Sequence, residues 1–229
     1  MDRSTEDTVA AVLDGYGTTF ADDAGIALAD EPAPLFQLLV LVQLLSARIG
    51  SGIAVATAAE LLRAGWTTPQ RMRDASRPRV VAALGRGGYR RYDERTATQL
   101  REMAALVLER YGGDLRRLDD QAGGDVDRAA RLVQEVKGIG PTGAAVFLRE
   151  VQGVWPWVRP YLDERARGGA RRIGLPDDDR LAGLVPADDL DRFAAGLVRI
   201  SRLRRGQDPF AAEPCGELDA HDPTGGGRA

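Results

Sequence analysis

Apolar residues recur every three to four positions along most of the chain, a spacing that predicts helices. Residues 96–111 are the clearest case, because Leu100, Met103 and Val107 fall on one face before Gly112 ends the segment. Further helices are predicted over residues 5–16, 53–63, 78–84, 126–136, 141–151, 164–173 and 188–203. Residues 35–47 are apolar almost throughout and predict a buried helix, and Thr68-Pro69, an N-cap followed by a first-turn proline, predicts a helix over residues 70–75. No segment predicts a pair of strands, so the predicted fold class is all-α.

The composition argues against several kinds of metal site, disulfide and catalytic site. His221 and Cys215 are the one histidine and the one cysteine of the chain. A disulfide, a zinc or iron–sulfur site built from these side chains, and a Ser/His/Asp triad are therefore not expected. We expect neither a cofactor nor a metal, and any chemistry must use carboxylates, tyrosine, hydroxyl groups or Lys137, the single lysine.

The net charge of −3 hides an uneven distribution. Residues 1–31 hold eight acids and one arginine, a net −7, and residues 206–229 hold five acids and one arginine, a net −4. Residues 32–205 therefore carry +8. A basic body between acidic ends is compatible with binding to nucleic acid.

The apolar segments are short. The longest, residues 35–45, is interrupted by Gln37 and Gln43, and it is shorter than the roughly 20 residues that cross a bilayer. No basic stretch followed by an apolar one opens the chain. We expect no signal peptide and a cytoplasmic location.

A tight turn joins the helices predicted over 126–136 and 141–151. It reads Lys137-Gly-Ile-Gly140 and is followed by Pro141. Proline at the first helical position leaves neighbouring amides unpaired, and a glycine turn in front of them makes an anion site suited to a DNA phosphate. The alternative is an ordinary connection in which the glycines serve geometry alone.

Residues 132–148 resemble the helix-hairpin-helix signature Leu-x-Gly-x-Gly-x-x-Thr-Ala, and most of residues 32–205 resembles the endonuclease III superfamily of base-excision DNA glycosylases. Residues 34–48 are similar to the family's first barrel helix, which ends in Leu-Leu-Ser-Ala-Gln. Residues 80–94 are similar to its glycine-containing turn, and residues 162–175 to its Val-Asp-Thr-His-x-x-Arg-x-x-x-Arg-Leu-Gly-Leu segment.

The resemblance implies two helical subdomains that flank a cleft. Residues 35–150 would form a helical barrel domain with the helix-hairpin-helix, and residues 151–205 the C-terminal part of a second domain. The N-terminal helix and loop, residues 1–34, would pack with that C-terminal part, and residues 206–229 would form a disordered acidic tail.

The chain departs from the family pattern in three places. Thr142 stands where the bifunctional members place their lyase lysine, Glu164-Arg165 replaces Thr-His, and the four-cysteine iron–sulfur loop is absent. The resemblance is therefore to a branch without the cluster and without the lyase lysine. We expect a monofunctional glycosylase, in which Lys137 contacts phosphate instead of forming a Schiff base.

By the resemblance, Asp163 falls on the catalytic aspartate, which would stabilise positive charge developing on the sugar or orient water. Asp163 can also be the N-cap of the helix that starts at Glu164, and both roles can hold together. Arg159, Arg165 and Arg167 are expected to surround Asp163, favour its charged form and attract phosphates. Residues expected to contact DNA are Lys137, Gly138, Ile139, Gly140, Thr142, Arg48 and Arg165.

Arg48 falls where the family inserts a polar side chain into the gap left by the flipped base, although a solvated arginine at a helix end explains it equally well. The predicted function is removal of a damaged or mispaired base from double-stranded DNA by a monomer. The alternatives are a non-catalytic DNA-binding module of the same fold and a helical adaptor for other proteins. The residues leave the excised base open.

Overall fold

In the computed structural model, residues 4–90 and 93–211 are described, and their regular secondary structure is entirely helical. This confirms the all-α prediction. The α-helices are α1 (Thr5–Tyr16), α2 (Phe20–Asp23), α3 (Pro32–Leu45), α4 (Ser51–Arg63), α5 (Pro69–Arg73), α6 (Arg77–Arg86), α7 (Asp93–Tyr111), α8 (Arg117–Ala122), α9 (Val126–Gln134), α10 (Pro141–Val151), α11 (Glu164–Arg172) and α12 (Leu190–Arg202). Short 3₁₀ turns lie at Pro156–Val158, Asp179–Leu184 and Ala187–Asp189.

Two of the differences from the predicted helices have local causes. Helix α3 begins at Pro32 instead of residue 35. The backbone N–H groups of a helix's first turn have no partner within the helix, and proline fits there because it has no N–H group. Helix α2 was not predicted at all. It is a single turn held by a capping box, in which the Thr19 hydroxyl accepts from the Asp22 amide and the Asp22 carboxylate accepts from the Thr19 amide.

The larger of two apolar clusters is built around α3. Phe36, Leu38 and Leu41 of this helix are fully buried, and α3 packs against α4 and α10. The cluster draws its residues from Phe20 to Val158. An almost wholly apolar helix at its centre explains why the chain can order so many short helices around it.

The smaller cluster joins α1, α11 and α12. Val12, Phe193 and Leu197 are fully buried in it. Helix α11 approaches α12 so closely that a Cβ at Gly169 would overlap the Leu197 carbonyl. Helix α10 packs against α12 as well as α3 and thereby links the two clusters.

The division of the chain into domains stays a prediction. Residues 20–26 and 154–158 contribute to the larger cluster, and residues 212–229 of the expected tail lie outside the described residues. None of the helices in the described part of the chain combines the length and apolar character needed to span a membrane.

Candidate functional site

The turn between α9 and α10 places main-chain groups at the protein surface. Ile139 is buried and anchors the turn, whereas Lys137, Gly138 and Gly140 are exposed. Gly138 has a φ of +98°, and a Cβ there would lie 2.5 Å from Nε2 of Gln43. Gln43 Nε2 donates to the Lys137 carbonyl at 3.2 Å. The turn therefore needs glycine at position 138, both for its dihedral angle and for this contact.

The N-terminus of α10 presents unpaired donors. Gly140 is extended, and α10 has no side-chain cap. The amides of Gly138, Gly140 and Thr142 make no hydrogen bond to the described residues, and Pro141 has no amide hydrogen to donate. Such donors, together with the partial positive charge of a helix N-terminus, favour an anion at this corner.

Lys137 lies at the same corner but is not free. Its Nζ is 3.1 Å from Oε2 of Glu102, and the two side chains are 68% and 46% exposed. An ion pair this exposed contributes about 0–1 kcal/mol. Lys137 can therefore exchange Glu102 for a phosphate at little cost.

A pocket of about 670 Å³ lies beside the N-terminus of α10. Its walls are residues 45–47, 49–51 and 140–143, with Arg165 of α11 and Arg202 of α12 on the other side. The pocket thus lies where helices of the two apolar clusters meet, and its volume is typical of a ligand site. Thr142 is part of the wall, and Lys137 is not.

Asp163 is held from two sides at the start of α11. Its Oδ1 accepts from the Ala166 amide at 2.9 Å, which is an N-cap. Its Oδ2 accepts from Nη1 of Arg149 at 2.7 Å. The Asp163 side chain is 11% exposed and that of Arg149 is 1% exposed. Asp163 is therefore the N-cap of α11, and the buried guanidinium of Arg149 neutralises its carboxylate. Asp163 lies two residues before Arg165 of the pocket wall.

The two arginines of the pocket wall differ from many other arginines of the chain in their ion pairs. Arg171, for example, pairs with both Glu164 and Asp177. Arg165 and Arg202 make no hydrogen bond or ion pair with the described residues. Within that part of the chain, two cationic side chains without a counterion therefore line one pocket.

Arg202 is exposed at the end of α12, and protein atoms surround part of its side chain. Burial is the main cause that lowers its pKa, and repulsion from Arg165 and Arg149 adds to the shift. Its guanidinium lies 5.8 Å from the centre of the Phe20 ring. An arginine stays protonated in proteins. This environment therefore makes the charged guanidinium of Arg202 less stable but does not remove its proton.

Helix α10 carries a second buried charged residue. Glu150 is 1% exposed, its Oε2 accepts from the Ala21 amide at 2.9 Å, and its Oε1 has no partner among the described residues. Burial raises the pKa of Glu150, although neighbouring Arg149 opposes the shift. Glu150 ties α10 to α2 and takes no part in the pocket wall.

The structure places the predicted site residues in two adjoining groups. Lys137, Gly138 and Ile139 form the hairpin corner, while Gly140, Thr142 and Arg165 line the pocket. Arg48 is exposed, lies between two wall residues and has no partner among the described residues. Their roles in binding and catalysis stay predictions.

The arginines expected around Asp163 were partly misassigned. Arg159 binds Asp188 and the carbonyls of residues 152 and 153. Arg167 donates to the carbonyls of Leu162 and Asp177. The contact to Asp163 comes from Arg149, which the sequence analysis missed, as it missed Arg202. The available signal for Arg149 was an Arg-Glu pair inside the otherwise apolar residues 143–151.

Comparisons with known proteins add little. No family model matches the sequence, and no curated protein matches it. Among solved structures, the chain is similar to an endonuclease III trapped as a covalent intermediate with DNA in an estranged-adenine complex. The identity is 16%, the TM-score is 0.46, and the match covers 86% of this chain and 85% of that chain. A likeness of this degree says nothing about function.

Proposed function

We propose that this chain is a monofunctional DNA glycosylase, which hydrolyses the bond between a flipped base and its sugar in double-stranded DNA. The observation that carries the proposal is a juxtaposition at one helix terminus. Gly140 and Thr142, whose amides are unpaired, line a pocket of about 670 Å³. Its wall also holds Arg165, two residues after Asp163 at the start of α11, while Asp163 itself is not a wall residue.

The corner supplies contact to the DNA backbone. A phosphate there would accept from the free amides of Gly138, Gly140 and Thr142, with Lys137 beside it. Such a contact positions the duplex without reading its sequence. The net +8 of residues 32–205 supports association with DNA over a wider surface.

The pocket supplies room for a base removed from the stack. As the bond to the base breaks, positive charge develops on the sugar, and a carboxylate close to that sugar lowers the energy of the transition state. Asp163 is the carboxylate we assign to this role, and Arg149 holds it in a fixed orientation. A base leaving through hydrolysis needs no amine nucleophile, which agrees with Thr142 in the pocket wall and Lys137 outside it.

The test is base release by the Asp163→Asn variant. Duplexes carrying uracil, hypoxanthine, oxidised or alkylated purines, or a mismatch are incubated with protein, and abasic sites are cleaved by alkali. We expect the wild type to release at least one base, and Asp163→Asn to lose at least 100-fold in rate while still binding the duplex. Asp179→Asn is the matched control, because Asp179 is fully exposed and pairs with Arg167 away from the pocket.

A second candidate, a non-catalytic DNA-binding module, is favoured by one observation. Both Asp163 oxygens already accept hydrogen bonds inside the protein, and little of the side chain is exposed. Tight binding to duplex DNA with no release of any base by the wild type would support this candidate and contradict the glycosylase.

A further inference from the structure

The charge of the pocket limits which base can enter it. Arg165 and Arg202 are unpaired among the described residues, and the carboxylate of Asp163, which attracts Arg202 without contacting it, is held by Arg149. The twelve wall residues include no acid and no aromatic side chain. The side chains of the walls therefore present two positive charges and no negative one.

The wall side chains also favour hydrogen-bond acceptors on the base. A guanidinium carries five N–H donors and no acceptor, and it binds paired acceptors in a planar, two-bond geometry. Ser51 and Thr142 add hydroxyl groups, whereas the Ser46 hydroxyl already donates to the Val42 carbonyl. An arginine meets the carbonyl and ring nitrogen of a guanine edge in the same manner.

We infer, on the basis of the proposed function, that the substrates are uncharged bases made by deamination, namely uracil and hypoxanthine. Arg165 and Arg202 select them. Deamination replaces an exocyclic amine, which donates, by a carbonyl, which accepts. The change converts a poor partner for a guanidinium into a good one. Cytosine and adenine present their amines to the same side chains and are rejected. Guanine and thymine also carry carbonyls, and their intact base pairs keep them in the stack.

Alkylated purines are the class that the pocket excludes. N7-methylguanine carries a positive charge, which the two unpaired guanidinium groups repel. A pocket that binds such a cation offers aromatic faces or a carboxylate, and the walls here offer neither.

The two arginines could instead contact DNA phosphates, and the test separates these roles. A phosphate contact weakens binding to every duplex by the same factor, whereas a base contact changes the preference among bases. The readout is the dissociation constant for duplexes that each hold one 2′-fluoro nucleotide bearing uracil, hypoxanthine, N7-methylguanine or an undamaged base. Fluorine at C2′ destabilises the cationic transition state, so the base stays attached and affinity is measured alone.

We expect the wild type to bind the uracil and hypoxanthine duplexes about 10- to 100-fold more tightly than the N7-methylguanine duplex. Arg165→Met and Arg202→Met should each reduce this preference by at least fivefold, with melting temperatures showing that they fold. Arg71→Met is the matched control, since the Arg71 side chain is exposed, has no partner among the described residues and lies on α5 away from the pocket, and it should keep the full preference.

The inference is overturned if N7-methylguanine binds as tightly as uracil, or if both arginine variants weaken all duplexes equally. Matching duplexes with ordinary sugars report excision in parallel. Release of N7-methylguanine would overturn the inference and leave the glycosylase standing. An arginine-dependent preference for deaminated bases without release of any base would support the pocket's selectivity and refute the glycosylase.

Discussion

The ion pair between Arg149 and Asp163 gives a prediction about stability that depends on its unequal burial. Arg149 is 1% exposed and Asp163 is 11% exposed. Removing the acid strands a cation in the protein interior, whereas removing the arginine leaves an anion that still caps α11 through the Ala166 amide. The two single variants should therefore differ in cost.

The magnitudes follow from these environments. Asp163→Asn leaves Arg149 without a counterion and should lower the free energy of unfolding by about 3–5 kcal/mol, because breaking one side of a buried pair exposes the full desolvation penalty of the other. Arg149→Met removes a charged hydrogen bond and should cost about 1.5–3 kcal/mol. In the double variant neither charge remains and the introduced asparagine can still cap α11, so it should cost at least about 1 kcal/mol less than the sum.

Urea unfolding of the wild type, both single variants and the double variant, followed by circular dichroism, measures this cycle. Costs that add to within about 0.5 kcal/mol would show that the two side chains do not interact, and would refute the assignment of Arg149 as the partner of Asp163. The same curves, recorded at the temperature of the activity test, show whether Asp163→Asn is folded under the conditions of that test.

Three further predictions concern the corner, the lysine and Glu150. Gly138→Ala should cost about 1–2 kcal/mol in unfolding and weaken DNA binding at least threefold, whereas Gly123→Ala, at a φ of +65° in open space, should leave DNA affinity unchanged. Borohydride added to protein and abasic DNA should trap no covalent adduct, and an adduct at Lys137 would show that the chain has lyase chemistry. Because burial raises the pKa of Glu150 above 4.5, wild-type stability falls as pH rises from that ordinary value through the raised pKa. Glu150→Gln lacks this loss, so its stability relative to the wild type in urea unfolding should grow from pH 4 to pH 8, and a difference independent of pH would contradict the sign.

The hairpin could be predicted from sequence because its determinants are local. Two glycines, a proline and flanking helical periodicity lie within about ten residues. The glycines permit the positive φ that a tight turn needs, and the proline fixes its own φ at a value suited to a helix start. The all-α class could be predicted for the same reason, since α7 repeats its apolar pattern over 19 residues and α3 is apolar over most of its 14 residues. Short helices such as α2 and α8 escaped, because four to six residues give too little periodicity to detect.

The pocket could not be predicted, because its walls come from distant parts of the chain. Arg202 lies at the end of α12 and reaches the pocket only through the packing of α12 on α11 and α10. Arg149 lies in an apolar helix, and nothing nearby in sequence shows that its partner is Asp163. Which arginines are paired and which are free depends on these tertiary contacts, and so does the electrostatic character of the site.

The central claim is that unpaired amides at the hairpin corner hold the DNA backbone. Titration of ¹⁵N-labelled protein with a short duplex, followed by the amide chemical shifts, measures it directly. We expect large shifts at Gly138, Gly140 and Thr142, with little change at Gly123 and Gly174, which are positive-φ glycines in other turns. A duplex that binds and leaves the three corner amides unmoved would contradict it.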